Sequence, residues 1–117
     1  MPLTDTLDLD VRIPNHTKMP YDRWQLSYEI KKHLLEKYRK FICKSRQSLN
    51  GDVEAEIHSK YDKDHLYFQF QLANGNVETL KNLGDDCKKS LDEKYTVESI
   101  VSGNLKSSSG KKESLNF

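Results

Sequence analysis

Leu7, Leu9, Val11 and Ile13 alternate with Asp8, Asp10 and Arg12, a period of two that predicts a half-buried strand. Pro14 ends it, because proline has no N–H to give to a ladder. The period then changes. From Asp22, a residue type suited to a helix N-cap, to about Ser45, apolar residues recur at helical spacing. At 100° per residue, Trp24, Ile30, Leu34, Leu35, Tyr38, Phe41 and Ile42 share one face, together with Ser27 and Lys31. Asn50-Gly51-Asp52 is the expected stop.

Two further alternating runs follow, Val53-Ala55-Ile57 and Leu66-Phe68-Phe70-Leu72, on either side of Tyr61-Asp62-Lys63-Asp64. They predict an antiparallel hairpin with Ile57 opposite Leu66 or Phe68, so that the apolar sets share a face. Asn76 is placed to cap a second helix carrying Val77, Leu80, Cys87 and Leu91, with Leu83 at the edge of its stripe. Tyr95 to Val101 alternate weakly and predict a last strand, with a helix as the other reading. The resulting order, β-α-β-β-α-β, predicts an α+β, ferredoxin-like fold: two helices on one face of a four-stranded antiparallel sheet.

Composition refines this picture. The 117 residues suggest one domain, residues 1–102, and the Ser-, Gly- and Lys-rich stretch 103–117 reads as a flexible tail. Hydrophobic residues are only 35% and charged residues 32%, so a thin core is expected. Neither a membrane-length apolar run nor a signal-like start is present, which predicts an intracellular protein, cytoplasmic or nuclear, with no membrane partner. Two cysteines, Cys43 and Cys87, are too few for a disulfide framework.

The net charge of +1 conceals a strong segregation. Residues 17–47 carry nine cations against three acids, whereas residues 1–16, 48–75 and 76–102 are each net acidic. Lys37, Arg39, Lys40, Lys44 and Arg46 fall within ten residues, and no acid follows from Lys37 through Gly51. On a helix these cations would complement the negative end of the dipole, or bind phosphate, or meet an acidic protein.

The exposed face of the expected sheet would show Asp8, Asp10, Arg12, Glu54, Glu56, His58, His65, Tyr67, Gln69 and Gln71. Residues 63–70, K-D-H-L-Y-F-Q-F, resemble in part the third-strand signature of the RNA-recognition motif: Lys63, Tyr67 and Phe70 match, and His65 stands at the first stacking position. That resemblance implies bases stacked on the sheet. Asp64, Leu66 and Phe68 depart from the pattern, and Asp8 and Asp10 replace the first-strand aromatic. Four carboxylates on such a face oppose phosphate and suit a solvated face or a surface for a basic protein partner.

Other chemistry finds little support. His58 and His65 are two imidazoles where zinc takes three or four ligands, so no metal is expected. Cys43, on the polar side of the helix near Arg39 and Lys40, has no histidine close in sequence to act as its base. Phosphate loops, H-E-x-x-H and G-x-S-x-G are all missing. The sequence therefore predicts a small non-enzymatic domain without cofactors that docks on another protein, with nucleic-acid binding through the basic helix end as the alternative. Its candidate binding residues are Lys37, Arg39, Lys40, Lys44 and Arg46, or the sheet-face group His58, His65 and Tyr67.

Overall fold

A computed structural model describes residues 4–14, 23–49 and 65–117. Its elements are β1 (Thr4–Arg12), α1 (Arg23–Lys37), β2 (Ile42–Leu49), β3 (His65–Ala73), α2 (Val77–Lys89), β4 (Ile100–Lys106) and β5 (Lys112–Asn116). A single π-helical turn, Ser90–Lys94, prolongs α2. The strands form one antiparallel sheet in the order β2-β3-β1-β4-β5. The fold is thus α+β with two helices among the described residues, as the patterning implies, but the sheet has five strands rather than the expected four.

The alternation in β1 and β3 works as physics requires of a one-sided sheet. Leu7, Leu9 and Val11 lie opposite Phe70, Phe68 and Leu66, and all six are buried against the helices. From above, α1 contributes Leu26, Ile30 and Leu34, followed by Tyr38 in the turn after it, and α2 contributes Leu80, Leu83 and Cys87, followed by Leu91 in the π turn.

The expected long helix stops at Lys37. Tyr38–Phe41 turn the chain, with Phe41 N and Ile42 N both donating to Tyr38 O, and Ile42–Leu49 run as β2 along β3. A helix continued to Ser45 would have left the ladder groups on that side of β3 without this partner. Pairing satisfies them, which outweighs the helix propensity of Lys44 and Arg46, already diluted by Phe41, Ile42, Cys43 and Ser45. Ser45 and Gln47 face Phe70 and Phe68, and a bulge between Ile42 and Lys44 accommodates Cys43.

The predicted hairpin is corrected by the same pairing. Both edges of β3 are occupied, by β1 and β2, so Leu66 and Phe68 meet Val11 and Leu9 rather than Ile57. The run 53–57 lies outside the described residues, as does the expected cap Asp22. Asn76 does not cap α2 with its side chain, which donates back to Ala73 O at 2.8 Å. Instead Asp5, inward on β1 and 1% exposed, accepts from the N–H groups of Gly75 and Asn76 at 3.0 Å and of Ser108 at 2.8 Å. One carboxylate thereby fastens the start of α2 to the β4–β5 turn.

The last strand begins later than predicted, at Ile100, although Tyr95, Val97 and Ser99 keep the buried parity. Residues 103–117, expected as a flexible tail, are the second half of β4 and the whole of β5. Gly110, at φ +90°, makes the tight turn between them, closed by Ser107 N–Lys111 O and Gly110 N–Ser107 O bonds of 2.9 Å. A Ser/Gly/Lys composition suits disorder and a hairpin turn alike, and the deciding residues are the apolar Leu115 and Phe117, which pack on the core.

Candidate functional site

The five cations read as one basic helix end divide between two faces of the molecule. Lys37, in the last turn of α1, holds Asp86 of α2 at 2.9 Å, and the Tyr38 hydroxyl donates to the same carboxylate. Burial pushes the Asp86 carboxyl up, but the bonds from Tyr38 and Lys37 more than offset this, with the charge of His33 adding to them, and hold it below the usual carboxylate range. Burial, then Asp86 itself, pushes the Tyr38 phenol up. Lys37 therefore belongs to a structural clasp between the helices. Arg39 and Lys40 stand exposed in the turn after α1.

Lys44 and Arg46 are not helical at all. On β2 they sit beside Gln71 and Gln69, on the sheet face away from the helices. That face also carries Tyr67 and His65, stacked at 5.7 Å between ring centroids, with His65 Nδ1 2.7 Å from Asp10. Asp8 accepts from Gln69 at 2.7 Å. Arg12, Lys106 and Lys112 share the face through the β1–β3, β1–β4 and β4–β5 registers. Among the described residues it holds five cations against the carboxylates of Asp8 and Asp10, the reverse of the acidic face expected. Glu54, Glu56 and His58 lie outside the described residues.

The other face reveals what helical-wheel reasoning missed. The buried stripe of α1 is Leu26, Ile30 and Leu34, with Ser27 beside it, and Leu26 was absent from the expected stripe. Trp24, expected inside, is 60% exposed, and Phe41 is also exposed. The ring of Trp24 lies parallel to that of Tyr28, one turn on, at 5.7 Å and 6°. Trp24, Tyr28, Lys31 and Leu35 recur at spacings of four, three and four, so they form a second stripe on the outer side of α1.

This stripe runs into a groove of about 440 Å³ between α1 and β2, lined by Tyr28, Lys31, Lys32, Leu35, Glu36, Arg39, Ile42 and Gln47. Its floor is largely apolar and its rim is cationic, with three cations against Glu36. The signal for it was present in the sequence as an overfull apolar set: seven residues cannot all face inward from one narrow helix. The assignment of inside and outside needed β2, which supplies the opposite wall.

Among the described residues no three His, Cys, Asp or Glu side chains stand close enough to hold a metal ion. Cys43 is exposed on the β2 bulge, and Cys87 is buried among the α2 core residues, where desolvation pushes its thiol up to about 12. No helix among the described residues is long and apolar enough to cross a membrane. No family model, no curated protein and no solved structure matches this chain.

Proposed function

We propose that this chain is a non-enzymatic interaction domain that docks on another protein through the outer face of α1 and the groove beside β2. The observation that carries the reading is the exposed aromatic stripe Trp24–Tyr28 leading into an apolar floor. Large aromatic side chains kept in water cost solvation free energy, and protein interfaces draw their affinity from such anchors. Within this reading the β1–α1–β2–β3–α2–β4 portion is a ferredoxin-like unit, extended at its β4 edge by β5.

A second reading is supported by the opposite face. Lys44, Arg46, Arg12, Lys106 and Lys112 share this face with Tyr67 and suit a single-stranded nucleic acid, whose phosphates would meet the outer strands while a base stacked on Tyr67. The two readings use different faces and separate cleanly. Partners captured from cell extract are identified and reconstituted with purified wild type, with Tyr28→Ala, and with Lys44→Glu/Arg46→Glu. A protein partner lost with Tyr28→Ala alone supports docking. Salt-sensitive binding of labelled single strands, lost only with the β2 double variant, overturns it in favour of nucleic acid.

A further inference from the structure

The α1–β2 groove is uneven in a way that specifies its occupant. Its apolar lining is Leu35, Ile42 and the Tyr28 ring, and its charged lining is Lys31, Lys32 and Arg39 against Glu36 alone. Gln47 also lines it, and its Oε1 is buried with no hydrogen-bond partner among the described residues. With that oxygen out of solvent reach, the occupant is specified by the charged and apolar lining. The cations call for carboxylates, and the floor calls for a bulky apolar group set between them. The stripe from Trp24 to Leu35 covers about 16 Å of helix axis, the reach of about five extended residues. That is longer than a single small ligand needs.

We propose that the groove receives an acidic peptide segment of a partner protein, its apolar anchor seated between Leu35 and Ile42 and its carboxylates at Lys32 and Arg39. The proposal rests on the docking reading above and adds the chemistry of the partner. An acidic segment without the anchor leaves the floor wet, and a basic one meets like charge at the rim. Each half of the recognition is therefore necessary, as expected where exposed charges steer and an apolar contact holds.

The chain's only tryptophan, Trp24, lies on the same stripe and reports occupancy through its emission. The probes are short labelled peptides free of tryptophan: one of Asp and Glu around a central Leu, one with Lys replacing each acid, and one with Ala replacing the Leu. Anisotropy and Trp24 emission are read at low and near-physiological salt. The expected result is saturable micromolar binding of the first peptide only, weakening with salt. It falls about tenfold in Lys32→Glu/Arg39→Glu and stays unchanged in Lys106→Glu on the far side. Leu35→Ala, checked for folding by thermal melting, weakens binding without altering the salt dependence.

Equal binding of the Lys peptide, lost in Leu35→Ala, would overturn the acidic class while leaving the docking reading intact. Absence of saturable binding by all three peptides would overturn the inference, and the docking reading would then stand or fall on the capture experiment alone. A free long-chain carboxylate that binds with the same Lys32/Arg39 dependence while the peptides do not would assign the groove to a small amphiphile and overturn the peptide.

Discussion

Gly84 sits in α2 where ordinary helix energetics and tertiary packing make opposite predictions. In a helix interior, replacing glycine by alanine gains about 1 kcal/mol. A Cβ on Gly84, however, would stand 2.3, 2.4 and 2.8 Å from Cζ, Cε1 and Cε2 of Phe117. Real Cβ atoms do not approach carbon so closely. The ring lies in the space two glycines leave open, since a Cβ added to Gly103 of β4 would also stand 3.0 Å from its Cε2. Phe117 N donates to Val101 O at 2.9 Å, so the backbone beside the ring is held as well.

In Gly84→Ala the ring must therefore strain its surroundings, at about 1–3 kcal/mol, or swing into water, forfeiting about 2 kcal/mol of burial. Set against the propensity gain, the expected net effect is a loss of about 1 kcal/mol, read as a fall of about 4 °C in Tm. The informative assay is a double-mutant cycle by urea denaturation with Phe117→Ala. In that background the obstacle is gone, and Gly84→Ala should turn stabilising by about 1 kcal/mol, a coupling of about 2 kcal/mol in total. A stabilising Gly84→Ala in the native sequence, or additive effects within about 0.5 kcal/mol, would refute the packing argument.

Other consequences are equally open to measurement. Asp5→Ala leaves three backbone N–H groups without their carboxylate and should cost about 3 kcal/mol in urea denaturation, whereas a loss below about 1 kcal/mol would show that the tie between α2 and the β4–β5 turn is not needed. Asp86 titrates below its unfolded value, so its contribution is present above the unfolded carboxylate pKa of about 3.9 and is lost as pH falls through the folded value. Asp86→Asn should accordingly flatten the decline in stability below about pH 4, and an unchanged acid limb would sink that assignment. Cys87 is buried with its thiol pushed up to about 12, so an aromatic disulfide reagent should titrate Cys43 promptly and Cys87 only on unfolding. Prompt reaction of both thiols would contradict the burial.

The strands β1 and β3 were legible because each obeys a strict period of two with every apolar residue on one side, a pattern no helix accommodates. Helix α2 was legible for the complementary reason, its stripe at Leu80, Cys87 and Leu91 being too widely spaced for a strand. The stretch from Phe41 to Gln47 was not. Local propensity there is nearly indifferent, so a long-range event, pairing with β3, settles it at small local cost. With it moved Lys44 and Arg46, from a supposed helix end to the open sheet face, and the charge of that face changed sign among the described residues. Residues 103–117 were misread because composition counts their polar majority, whereas the hairpin is held by two contacts at its ends: Asp5 on Ser108, and Phe117 between Gly84 and Gly103.

The sequence by itself therefore determined which residues are capable of forming a core, and that a one-sided α+β sheet would contain them, since periodicity is a property of neighbours in the chain. Tertiary structure alone decided which apolar residues of α1 were left outside. A helix offers only a limited arc to the sheet beneath it. Leu26, Ile30 and Leu34 fill that arc, Trp24 is left exposed, and Tyr28 and Leu35 form the wall of a groove whose other side is a strand not recognisable from local pattern.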